Sequence, residues 1–102
     1  MRGLDESEMQ LIGNCLRAAA DGPFFEDWEF AALFGSERAE VKQTAEEWPD
    51  VDADDAIVSG AVQNSLNNLL RYPHGMDAAL QAYVPGSRAA IENVLVKWVG
   101  AG

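Results

Sequence analysis

One cysteine, one histidine and seven basic side chains are all that this 102-residue chain has of several chemistry-bearing groups. With Cys15 alone no internal disulfide can form, and passage through an oxidising compartment leaves no mark. With His74 the single histidine, a zinc site of three or four Cys, His or carboxylate ligands at defined spacing cannot be assembled. A Ser-His-Asp or Cys-His arrangement would have to use His74 as its base, and no nucleophile is marked beside it. Glycines fall at segment ends or singly, as at Gly13 and Gly60, so there is no phosphate-cradling loop. No apolar run reaches the roughly 20 residues of a membrane-spanning helix. The segment Met1-Arg2-Gly3-Leu4-Asp5-Glu6 lacks the apolar core of a signal peptide. The expectation is a non-enzymatic, cytoplasmic protein with no cofactor and no metal.

What is present is apolar enough to fold. Hydrophobic residues make up 48 % of the chain and nine residues are aromatic, too many for a disordered acidic tail. The length suits one domain over 1–102 with a modest core. β-Branched residues are few and no segment alternates over five residues, so the chain reads as helices throughout.

Asp5 and Glu8 have the spacing of a capping box, followed by Met9, Ile12, Cys15, Leu16 and Ala19 at helical intervals. Asp21-Gly22-Pro23 stops that helix, with Gly22 free to take a left-handed cap. An extended lead-in through Phe24 and Phe25 then enters a short helix from about Trp28, capped by Asp27 and ended near Gly35. Ser36 caps a third helix with Val41, Ala45 and Trp48 inward and Pro49 at its end. Asp54 or Asp55 starts the longest helix, to about Arg71, with Val58, Val62, Ser65, Leu66, Leu69 and Leu70 as its apolar face. A short helix over Asp77 to Tyr83 precedes a last one capped by Ser87, in which Ile91, Val94, Leu95 and Trp98 face inward. The fold class is all-α, a compact bundle of five or six helices. Gly13 and Gly60 mark close helix–helix approach.

The charge is distributed very unevenly. Residues 1–55 carry 15 acidic and 4 basic side chains, a net of −11, and residues 56–102 carry 2 and 3, a net of +1. Acidity peaks in Glu46-Glu47-Trp48-Pro49-Asp50-Val51-Asp52-Ala53-Asp54-Asp55. The alternation Asp50, Asp52, Asp54 resembles the opening of a calcium loop, but Asp55 stands where the turn needs glycine and Ala61 where a bidentate Glu must close the shell. Helix capping accounts for one or two of the carboxylates and not for all six. Such acidity repels nucleic-acid backbones and anionic membranes, so neither is an expected direct partner.

Two explanations of the run stay open: a solvated face, or a docking surface for a basic protein. In the second, Glu46, Glu47, Asp50, Asp52, Asp54 and Asp55, with Glu26, Asp27 and Glu29, form a charged rim. Trp48 or Trp28 supplies the apolar anchor, with Phe24 and Phe25 nearby. Trp48 also fits a core position by its spacing from Val41 and Ala45. Asn64, Asn67 and Asn68 share a helix face and suit tying down neighbouring backbone, either the acidic loop or the Phe24 segment. Arg71 is placed to pair with a carboxylate and orient the acidic surface.

The segment from Gly22 to Phe30, with Leu33-Phe34-Gly35, Trp48-Pro49 and the stretch from Asn64 to Gly75, resembles uncharacterised small bacterial helical proteins. In size, acidity and lack of catalytic residues the chain also resembles bacterial immunity proteins, which bind and neutralise a cognate toxin, often a basic nuclease. That likeness implies a stoichiometric inhibitor whose partner is a basic toxin. The alternatives are a nucleic-acid mimic that blocks a DNA- or RNA-binding protein, and a small-ligand or enzyme domain centred on His74 with Tyr72 and the asparagines.

Overall fold

A computed structural model describes residues 3–72 and 75–101 of the chain. Among these residues there are six α-helices and no strand: α1 (Glu6–Asp21), α2 (Asp27–Phe34), α3 (Arg38–Glu47), α4 (Ala56–Arg71), α5 (Asp77–Tyr83) and α6 (Arg88–Ala101). The all-α bundle read from the sequence is therefore the fold. Central to it is α4, which packs against α1, α2, α3 and α6. Its residues Val62, Leu66 and Leu69 are fully buried, as are Ile12, Leu16 and Trp98 from α1 and α6. Each such side chain contributes about 1.5–3 kcal/mol of burial before the entropy of ordering the chain is charged against it. No helix among the described residues is long and apolar enough to cross a membrane.

The starts of the helices explain part of the acidity. In α1 the Asp5 carboxylate accepts from the Glu8 N–H at 2.8 Å and Glu8 accepts from the Asp5 N–H at 3.0 Å, the expected capping box. The same return bond recurs one helix at a time. Glu29 accepts from the Glu26 N–H, and Glu40 from the Glu37 N–H. These bonds move two caps: α2 is capped at Glu26 instead of Asp27, and α3 at Glu37 instead of Ser36. The Ser36 hydroxyl is buried and has no hydrogen-bond partner among the described residues. Asp55 caps α4 and Ser87 caps α6, as the sequence suggested. A carboxylate in a first helical turn also faces the positive end of the helix dipole.

Gly22 ends α1 in an extended conformation, not a left-handed one. Glycine is needed there for space: a Cβ would collide with the Ala18 carbonyl and come within 2.6 Å of the Phe24 ring. Arg38 then fixes the α1–α2 connection. Its guanidinium donates to the carbonyls of Ala19, Ala20 and Phe25, pairs with Asp27 at 3.0 Å, and lies 4.5 Å from the centre of the Phe30 ring. Gly13 does mark a close approach, since a Cβ there would meet Trp48 at 2.9 Å. Gly60 does not: the space beside it is open.

Candidate docking surface

The acidic run begins where α3 stops against the core. Trp48 donates its backbone N–H to the Thr44 carbonyl and its indole N–H to the Met9 carbonyl at 2.8 Å, and its ring lies 6.2 Å from that of Trp98. This half-buried indole is a bracket between α1 and α3, so Trp48 belongs with the packing and not with an exposed anchor. Beyond it the chain folds on itself through local bonds. Asp50 N–H reaches the Glu47 carbonyl at 2.8 Å, Asp55 N–H the Asp52 carbonyl at 3.1 Å, and Asp54 N–H the Asp52 carboxylate at 3.0 Å. Ala53 packs against the core.

Carboxylates of the run are thus engaged within the fold: Asp52 in its turn, Asp55 as the α4 cap, and Glu47 as acceptor from the Gln43 amide at 3.1 Å. All six are exposed. Five of the six described cations pair with carboxylates elsewhere: Arg38 with Asp27, Lys42 with Asp21, Arg71 with Glu92, Arg88 with Asp77 and Lys97 with Glu8. Arg17, the sixth, donates to Asn14. Glu46, Glu47, Asp50, Asp52 and Asp55 therefore have no ion-pair partner among the described residues. A shallow cavity of about 240 Å³ opens beside them between α3 and the start of α4, lined by Glu40, Gln43, Thr44, Glu47, Asp55 and Ile57, with Ile57 half exposed. The sequence reading missed Glu40 and Ile57. Glu40, Gln43 and Glu47 lie three and four residues apart on α3, which is the signal that places them on one face.

The second acidic segment stands elsewhere. Trp28 at the start of α2 is 80 % exposed, whereas Phe24 and Phe25 are core residues and cannot serve as anchors. Glu26 and Asp27, which directly precede Trp28, are also exposed, with Asp27 held by Arg38. Glu29 accepts the Tyr72 hydroxyl at 2.5 Å. That hydrogen bond, then partial burial and the Glu29 and Glu26 charges, raise the Tyr72 phenol above its ordinary pKa. Tyr72 caps the far end of α4 from Asp55, and a helix of 16 residues is about 24 Å long. The structure does not bring 26–29 and 46–55 into one patch; they sit at the two ends of α4.

The asparagines do tie down backbone, but neither the acidic loop nor the Phe24 segment. Asn64 donates to the Phe34 carbonyl at 2.8 Å and Asn68 to the Leu33 carbonyl at 3.1 Å, satisfying the last turn of α2. Asn67 accepts from Arg71, and Arg71 pairs with Glu92, so it orients α6 instead of the acidic surface. Pro73 and His74 lie outside the described residues, and with them the reading of His74 as the centre of a site. Cys15 is fully buried, and burial pushes its thiol up to about 12. Among the described residues no three His, Cys, Asp or Glu side chains are grouped to hold a metal ion.

The chain matches no family model, no curated protein and no solved structure with which it was compared. The exposed Trp28, the acidic run and the acidic cavity are therefore read on their own chemistry.

Proposed function

We propose that this protein is an inhibitor that docks on a basic protein, acting in the cytoplasm as the immunity partner of a nuclease-type toxin. The observation that carries the reading is Trp28, 80 % exposed at the start of α2 directly after the exposed Glu26 and Asp27. A large exposed aromatic group next to carboxylates suits an interface hot spot, with an apolar anchor beside a polar rim. Glu46, Glu47, Asp50, Asp52 and Asp55, which have no ion-pair partner among the described residues, then supply the field that draws a cationic cleft toward the bundle. The two ends of α4 lie about 24 Å apart, within the breadth of a standard interface, so one partner can touch both.

The test is calorimetric titration against a basic nuclease-type toxin, sought among the products of the neighbouring genes. Glu46→Lys, Glu47→Lys and Asp50→Lys combined leave the Asp52 turn and the Asp55 cap intact. That variant should bind roughly 100-fold more weakly, with a flatter salt dependence. Unchanged affinity and salt dependence would remove the reading.

A further inference from the structure

One face of α1 carries Glu6, Gln10, Gly13 and Arg17, spaced by four, three and four residues. Trp48 and Pro49, where α3 ends, stand beside that face and enclose with it a cavity of about 270 Å³ that Met9 also lines. Gly13 brings the two most distinctive groups of the cavity together. A Cβ there would meet the Trp48 ring at 2.9 Å and the Arg17 guanidinium at 3.5 Å, so indole and guanidinium lie side by side over one residue. Arg17 is also unlike the other cations. Residues 1–55 hold 15 carboxylates against four basic side chains, yet among the described residues Arg17 is the cation that pairs with no carboxylate. Its partner is the Asn14 side chain, which accepts one of the five guanidinium N–H groups and steadies the exposed fork beside the indole.

We propose that this cavity binds a small apolar monocarboxylate, with its acid group on Arg17 and its hydrocarbon body along Trp48, Pro49 and Met9. The planar guanidinium fork matches a carboxylate with two parallel N–H···O bonds, and an indole and a proline ring beside it offer an apolar wall. A concave, mostly apolar site with one fixed polar group is the usual anatomy of a small-molecule pocket. Its volume lies at the small end of such pockets and takes on the order of 10–15 non-hydrogen atoms, which suits a free acid better than a folded partner. The net charge of −10 opposes an anion at long range, but the carboxylate that lines the cavity is remote from the binding fork. Glu6 precedes Gly13 by seven residues, about 10 Å along the helix, which is the range over which physiological salt screens a charge. Glu6 also disfavours a second acid group at the far end, so the class is monocarboxylates. Neither Trp28 nor any carboxylate of residues 46–55 lines this cavity, so ligand binding stands or falls separately from toxin docking.

Nuclear magnetic resonance of the isotope-labelled full chain tests it, by titration with sodium 3-phenylpropionate to about 10 mM at a constant ionic strength of roughly 0.15 M. Saturating shifts are expected at the Gly13 amide and the Trp48 indole N–H while the Trp28 signals stay in place, with a Kd on the order of 0.1–1 mM. 3-Phenylpropionamide, with the same shape and no charge, and acetate, with the charge and no body, should each bind at least about tenfold more weakly. Arg17→Gln, at an exposed side chain, should weaken binding at least about tenfold with an unchanged circular dichroism spectrum, and Arg17→Lys should recover only part of the loss. The absence of saturating shifts at Gly13 and Trp48, an amide or acetate bound as tightly as the acid, or an Arg17→Gln variant that binds like the wild type overturns the proposal. A peptide ending in phenylalanine that binds more tightly than the free acid also overturns it, in favour of the chain terminus of a partner protein.

Discussion

Trp48 hangs from Met9: its indole N–H donates 2.8 Å to the Met9 carbonyl, while its ring edge lies over Gly13 one turn further along α1. The bond sets the spacing of α1 and α3, and Gly13 is glycine because the indole occupies the place of a side chain. Gly13→Ala is therefore expected to lower stability by about 1 kcal/mol, overpacking outweighing the gain in helix propensity. Gly60→Ala, with open space beside it, should raise stability by about 0.5–1 kcal/mol in dilute solution. Urea denaturation of both variants checks the opposite signs.

Arg38 holds two carbonyls of the last turn of α1 and one of the α1–α2 connection, and lies against Phe30. Arg38→Ala leaves those acceptors short of donors and is expected to cost about 2–3 kcal/mol. Arg38→Lys should recover only a small part of the loss, because an ammonium cannot reproduce the planar fork that reaches three oxygens and a ring. Thermal melts of the two variants decide this.

Asn64 and Asn68 bind the last carbonyls of α2, a helix of only eight residues that ends in a left-handed Gly35. Replacing both asparagines by alanine should loosen α2 locally, at about 1 kcal/mol per bond. Hydrogen exchange is expected to quicken at the amides of residues 30–35 ahead of the α1 and α4 amides.

The helix inventory was legible in the sequence because each inner face repeats at three and four residues, as Ile91, Val94, Leu95 and Trp98 show. The caps of α2 and α3 were not. Glu26 and Glu37 are outside the residue types that favour a helix start, and their role comes from the reciprocal bonds with Glu29 and Glu40. The asparagines announced a tying role, but only tertiary packing of α4 on α2 supplies their acceptors. For the same reason the two acidic segments looked like neighbours: their closeness in sequence hides the length of α4 lying between them in space. Trp28 and Trp48 each sit among carboxylates in the sequence, and burial separates them.

Glu8 links the two ends of the chain through Lys97, 2.6 Å away, while still accepting from the Asp5 N–H. The Lys97 hydrogen bond, followed by the Asp5 backbone bond, holds the Glu8 carboxyl below its ordinary value of 4.5. A depressed carboxyl stabilises the fold above its unfolded pKa and loses that contribution as pH falls through the folded one. Acid titration of stability should therefore show a loss setting in below about pH 4.5. Glu8→Gln keeps an acceptor for the cap and removes the ion pair, so the variant should start less stable at neutral pH and lose less in acid. Identical acid profiles would show that the pair contributes nothing there.

Trp28 and the 46–55 run act at different stages of docking if both face one partner. Charge at long range governs encounter, and a buried aromatic anchor governs residence. Trp28→Ala should leave the fold intact, because the side chain is 80 % exposed, and should raise the dissociation rate about 30-fold or more while the association rate holds. Charge reversal at Glu46, Glu47 and Asp50 should do the converse, slowing association by roughly 10- to 100-fold, with a deficit that shrinks as salt is added. Stopped-flow mixing with the toxin, read through tryptophan emission, separates the two rates. Trp28 is expected to supply the red-shifted part of the free protein's emission, since Trp98 is fully buried and Trp48 half-buried, so binding should shift the emission to the blue. A Trp28→Ala variant that dissociates at the wild-type rate would place the anchor elsewhere and leave the acidic cavity between α3 and α4 as the sole contact.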